Sequence, residues 1–140
     1  MSVPVWVLLG FAGWTLVTLF GTIGVWRWSR ILTGRAALVD FRPDEPQGPD
    51  WYRRAMRAHA NCLENLPVYA AIVVAIEASG IESPTHDMLA VILLLARVAQ
   101  TVVHVAFEPT NPIVAVRFAF FVTQAVCMFW MGISTALLAA

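Results

Sequence analysis

The chain has 140 residues, of which 59% are hydrophobic and only 13% are charged. Soluble domains carry about 25% charged residues, so this composition indicates an integral membrane protein. Nine arginines, with no lysine, balance nine acidic residues to a formal net charge of zero. The sequence pI of 6.8 argues against a nucleic-acid partner, because domains that bind nucleic acid have pI values above about 9.

Four apolar segments are long enough to cross a bilayer, which requires about 20 residues per helix. The predicted spans cover about residues 3–31, 51–79, 85–107 and 112–138. Lipid offers no hydrogen-bond partners to the backbone, and a closed barrel does not fit in this length, so the fold class is predicted to be all-α. Two short connections favour an up-down-up-down four-helix bundle, with residues 1–140 forming a single membrane domain.

The first connection, about residues 33–50, is long and rich in proline and glycine. Loops of this length are more often functional or mobile than incidental. Arginines accumulate in and beside it, which predicts a cytoplasmic loop with both termini outside. In a bacterial cell this topology would place the protein in the cytoplasmic (inner) membrane. Trp26, Trp28 and Trp51 cluster at the same boundary, as interfacial aromatic residues do.

The second span carries a polar face in its first half. Arg53, Arg57, Asn61 and Glu64 recur one helical turn apart. Ionisable residues at membrane depth indicate a functional site, here a pocket for an anionic or zwitterionic ligand. The alternative is a network of ion pairs that only stabilises the bundle.

The third span repeats this pattern, since Arg97, Gln100 and His104 share one face. Facing the second span, these residues would line a polar cavity. His104 and Glu108 are four residues apart but have no further ligands beside them, so no metal is expected. In the fourth span, Arg117 either extends to the membrane interface or points into the cavity.

The segment Arg57–Pro67 resembles the second-helix signature of the MAPEG family, the membrane-associated proteins in eicosanoid and glutathione metabolism. Arg97–His104 is similar to the third-helix segment of that family, and the resemblance covers nearly the whole chain. It implies a homotrimer of four-helix bundles with membrane lipids around it. It further implies that glutathione, as co-substrate, binds between neighbouring subunits near the cytoplasmic side. The residues that it assigns to glutathione are Arg54, Arg57, Asn61, Glu64, Arg97, Gln100 and His104.

Two features depart from the family pattern. Gln100 and His104 stand where the eicosanoid-metabolising members usually have tyrosines, and the fourth helix has no arginine at its start. Arg117 is therefore the catalytic candidate for stabilising the glutathione thiolate, with Arg27 or Arg30 as alternatives. The remaining alternative is that the protein does not activate the thiolate.

The resemblance implies a glutathione-dependent membrane transferase or peroxidase acting on a lipophilic small-molecule electrophile. A non-catalytic lipid-binding or scaffold member of the same family is one alternative, because the departures affect residues that contact glutathione. A small proton-coupled carrier is a second alternative, because charges within the membrane also mark ion pathways.

Overall fold

The computed structural model describes residues 1–42 and 44–140. Its four long helices are α1 Val3–Leu32, α2 Asp50–Ser79, α3 Pro84–Ala106 and α4 Asn111–Ala139, and a 3-10 turn covers Leu38–Asp40. These residues form no strand, so the all-α prediction is confirmed. Each of the four helices is long and apolar enough to cross a membrane.

A single π-helical segment, Leu19–Gly24, interrupts α1. Before it, the Thr18 hydroxyl donates a hydrogen bond to the Trp14 carbonyl oxygen at 2.9 Å. Within it, the Thr22 hydroxyl donates to the Thr18 carbonyl oxygen. Such bonds from threonine to the preceding turn compete with the backbone ladder and bend helices. The helix therefore consists of two α-helical parts that flank one wider turn.

Proline and glycine mark the other helix boundaries. Pro84 begins α3 and Pro112 lies in the first turn of α4, where the missing N–H would have no partner within the helix. Gly80 follows α2 with φ of 66°, in the left-handed region that favours glycine. Pro67 lies inside α2, where it removes one hydrogen bond of the helix.

The main core cluster receives side chains from all four helices. Phe11 of α1, Tyr69 of α2, Leu93 of α3 and Met131 of α4 are all buried there. The Tyr69 hydroxyl donates a hydrogen bond to the Pro4 carbonyl oxygen at 3.1 Å, which connects α2 to the start of α1.

A second, smaller cluster lies near the other end of α1. Ile23, Tyr52 and Ala55 are buried there, and Trp26 packs against them. The Arg27 Nε donates a hydrogen bond to the Tyr52 hydroxyl at 2.9 Å. This cluster fixes the end of α1 against the start of α2, close to the polar face predicted from the sequence.

Large apolar side chains also cover the outside of the bundle. Trp6 of α1 and Phe129 and Trp130 of α4 are exposed. A soluble protein would bury such side chains, whereas in a bilayer the hydrocarbon covers them. The exposed apolar side chains therefore agree with the high hydrophobic fraction of the sequence, which indicated a membrane protein.

Candidate functional site

The polar face of α2 is open in the single chain. Arg57 and Glu64 are exposed and Asn61 is half-buried. In the part of the chain that the structure describes, no ion pair joins Arg57 to Glu64. The one ion pair found there joins Arg53 to Asp50, at 4.0 Å on the protein surface. The charges of this face are thus available to a ligand rather than used by a network within the chain.

Arg54 lies beside this face and reaches across to α3. It is half-buried, and its Nε donates a hydrogen bond to the Val105 carbonyl oxygen at 3.1 Å. That carbonyl belongs to the last turn of α3, where carbonyl groups have no partner within the helix. One guanidinium nitrogen is therefore used structurally.

The polar residues of α3 are buried, in contrast to those of α2. Arg97 is 1% exposed, and Gln100 and His104 are also buried. The Arg97 guanidinium carbon lies 5.4 Å from the centre of the Phe11 ring, in the geometry of a cation–π contact. The Cys62 thiol lies beside the same guanidinium. The Arg97 Nε and Nη2 nevertheless have no hydrogen-bond partner.

Gln100 connects α3 to α4 through two hydrogen bonds. Its Nε2 donates to the Arg117 carbonyl oxygen at 3.1 Å. Its Oε1 accepts from the Gln124 Nε2 at 3.0 Å. These two hydrogen bonds therefore fix the position of α4, around Arg117, relative to the polar residues of α3.

Three arginines lie near the buried ring of His104, namely Arg117, Arg57 and Arg54. Among the described residues, none of these arginines has a carboxylate within 4.0 Å. Such a cluster attracts an anion, because guanidinium groups pair bidentately with carboxylates.

The two alternative arginines of α1 have other contacts. Arg27 bonds to the Tyr52 hydroxyl at 2.9 Å, and its guanidinium carbon lies 5.4 Å from the centre of the Phe41 ring. The Arg30 guanidinium carbon lies 5.2 Å from the centre of the Trp26 ring. Of the three arginines, Arg117 is the one whose backbone carbonyl accepts the hydrogen bond from Gln100.

A model of the MAPEG family matches residues 4–137. The chain belongs to the MAPEG family. Glutathione transferases and peroxidases are among the members of this family, and MAPEG proteins oligomerise. No curated protein and no solved structure matches the chain.

Within this MAPEG chain the residues predicted from the sequence form two groups. Arg57, Asn61 and Glu64 belong to the open face of α2, and Arg97, Gln100 and His104 belong to the buried face of α3. Arg57 and Glu64 are exposed in the single chain, whereas the α3 residues are not. Among the described residues, no three His, Cys, Asp or Glu side chains are arranged to hold a metal.

Sequence reasoning missed three residues that support this region. Phe11 lies against Arg97, Gln124 donates to Gln100, and Tyr52 accepts from Arg27. Gln124 follows Arg117 by about two helical turns, so the sequence already places both on one face of α4. This shared face is the feature that could have identified Gln124. Nothing in the local sequence around Phe11 or Tyr52 marks either of them.

Proposed function

We propose that this protein is a glutathione-dependent membrane transferase or peroxidase that acts on lipophilic electrophiles. The observation that carries the proposal is the open face of α2 with Arg57, Asn61 and Glu64. This face lies next to the positive charges around His104. Glutathione presents two carboxylates and one ammonium group, so its binding site needs positive charges for the carboxylates and a negative charge, here Glu64, for the ammonium group.

Each residue has a role that follows from its chemistry. Arg57 pairs with a carboxylate of glutathione through its guanidinium fork, and the free nitrogens of Arg54 support it. Glu64 accepts from the ammonium group. The Asn61 amide both donates to and accepts from the peptide backbone of the ligand. Arg97 and His104 add their polar groups to the inner wall.

Arg117 stabilises the glutathione thiolate, since a neighbouring positive charge lowers the pKa of a thiol. In the transferase reaction the thiol loses its proton and the sulfur forms a bond to an electrophilic carbon, while the leaving group departs with its electron pair. In the peroxidase reaction the sulfur attacks a hydroperoxide oxygen and the O–O bond breaks. The sulfur keeps that oxygen as a sulfenic acid, and the alkoxide takes a proton and leaves as an alcohol. The thiol of a second glutathione then attacks the sulfenic sulfur, which forms the disulfide and releases water.

The assembly that suits this site is a homotrimer of up-down-up-down bundles, each a single membrane domain. Arg57 and Glu64 are exposed in one chain, so a neighbouring subunit would supply the opposite wall of the pocket. The first loop then lies in the cytoplasm, where glutathione is present. In a bacterial cell the inner membrane would supply the lipophilic substrate.

The test is calorimetric titration of glutathione into detergent-purified protein, with Arg57→Gln compared against Arg42→Gln. Arg42 is an exposed arginine of the first loop, so its variant carries the same charge change outside the polar face of α2. Hydrogen bonds to charged groups contribute about 1.5–3 kcal/mol. Arg57→Gln should therefore weaken binding at least about tenfold.

The Arg42→Gln variant should bind glutathione like the parent protein. Equal affinity of the Arg57→Gln variant and the parent would refute the site. A Glu64→Gln variant, with Glu82→Gln as its control, tests the ammonium contact by the same titration.

A second candidate function is the non-catalytic lipid-binding or scaffold role. Gln100 favours it, because its amide already donates to and accepts from α4. It has one N–H and one acceptor position left for a ligand, and it lacks the hydroxyl with which the family tyrosine contacts glutathione. Conjugation of glutathione to chlorodinitrobenzene by the purified protein, followed by mass spectrometry of the product, would exclude this role.

A further inference from the structure

The first loop folds back on the end of α1 and forms with it a half-open cavity of about 390 Å³. Ligand pockets in proteins measure about 300–1,000 Å³. The residues that line it and matter for its chemistry are Trp26, Arg30, Arg35, Ala36, Asp40 and Phe41. None of the residues assigned above to glutathione lines this cavity.

Hydrogen bonds of the loop backbone build the cavity. Gly34 has φ of 68° and turns the chain after α1, and the Arg35 N–H donates to the Arg30 carbonyl oxygen at 2.9 Å. The Ala37 N–H donates to a carboxylate oxygen of Asp40 at 2.8 Å. The one acidic side chain of the cavity is thus already used to hold the 3-10 turn. The cavity exists before any ligand binds.

The charge of the cavity is complementary to an anion. Arg30 and Arg35 both line it, and neither has a carboxylate within 4.0 Å in the described residues. The Arg30 guanidinium carbon lies 5.2 Å from the centre of the Trp26 ring, within the range of a cation–π contact. Two such groups suit a phosphate oxygen pair, because the guanidinium fork matches phosphate geometry.

The apolar residues beside the cavity indicate what carries the phosphate. Leu32 is 79% exposed, Leu38 71% and Val39 82%. A soluble anion gains nothing from them, whereas acyl chains cover such side chains at a membrane surface. Trp28, also exposed, is typical of the membrane interface.

We infer that this cavity binds the phosphate of an anionic glycerophospholipid of the cytoplasmic leaflet, whose acyl chains lie along Leu38 and Val39. The lipid holds the first loop against the membrane surface. Negative lipids of that leaflet attract basic segments next to a span. The inference does not depend on glutathione, because the seven residues assigned to glutathione and Arg117 do not line the cavity, and the tests leave Arg30, the alternative to Arg117, unchanged.

The test counts lipids bound to the full-length protein by native mass spectrometry, in detergent with added phosphatidylglycerol or phosphatidylcholine. Arg35→Gln removes a phosphate ligand. Arg42→Gln is the matched control, because Arg42 is an exposed arginine of the same loop that does not line the cavity. Ala36→Phe fills the cavity and keeps every charge.

Phosphatidylglycerol should bind in preference to phosphatidylcholine, and the affinity should fall about tenfold in Arg35→Gln. Ala36→Phe should lose the lipid to a similar extent, and Arg42→Gln should retain it. Equal losses of phosphatidylglycerol binding in Arg35→Gln and Arg42→Gln would overturn the inference, since the lipid would then be attracted by the positive charge of the whole loop and not by the cavity. Displacement of the lipid by millimolar inorganic phosphate would also overturn it and would identify a soluble anion as the ligand. Glutathione titration of Arg35→Gln should match the parent protein.

Discussion

Replacing Arg97 by methionine should make the protein more stable in the absence of ligand. The side chain is 1% exposed, and two of its donor atoms, Nε and Nη2, have no partner. Each unsatisfied buried donor costs about 1–3 kcal/mol. The cation–π contact with Phe11 offsets about 2 kcal/mol of this when desolvated. Methionine has a similar length, no charge and a flexible shape that fills irregular gaps.

The expected gain for Arg97→Met is therefore up to about 4 kcal/mol, the upper end of the range found when buried ionic groups are replaced by apolar residues. Equilibrium unfolding by SDS in mixed micelles, followed by tryptophan fluorescence, measures it. Arg97→Lys is the control, because it keeps a buried charge and should show no gain. A methionine variant less stable than the parent by more than about 1 kcal/mol would show that Arg97 has a compensating partner in the assembled protein. The reasoning from the single chain would then fail.

Two further predictions concern the fold. Tyr69→Phe removes the hydroxyl that donates to Pro4 and should lower the free energy of unfolding by about 1 kcal/mol. The same SDS titration measures this change, and an unchanged free energy would mean that the hydrogen bond does not stabilise the fold. Gly80→Ala should also lower it by about 1 kcal/mol, because Gly80 has φ of 66°. Gly13→Ala is the control, because a Cβ there would meet nothing within 4 Å, and it should be neutral or stabilising by up to about 1 kcal/mol. A loss of stability at Gly13 as large as at Gly80 would show that the positive φ of Gly80 is not the cause.

The fold was largely predictable because the membrane imposes it. Apolar runs of sufficient length must be helical in lipid, and prolines and glycines such as Pro84 and Gly80 mark the ends of the helices. The one-turn spacing of Arg57, Asn61 and Glu64 also placed these residues on one face. Periodicity describes a single helix, however, and does not state which neighbour covers a given face.

The polar cavity between the second and third spans was predicted on the assumption that their polar faces meet. In the single chain, the face of α2 with Arg57 and Glu64 is open, whereas Arg97 of α3 is buried against Phe11. That contact depends on how α1 is rotated about its axis. Such a rotation is set by the packing of the whole bundle, so no local pattern around Phe11 could have revealed it.

The π turn of α1 sets the angle between two unrelated contacts. Phe11 before the turn faces Arg97, and Arg27 after it bonds to Tyr52. A regular α-helix advances by about 100° per residue. Removing one residue between the two contacts while the wider turn is kept would therefore rotate one half of α1 against the other by about that angle, and only one of the two contacts would survive. The number of residues between Phe11 and Arg27 thus fixes both contacts, whatever side chains the π turn carries.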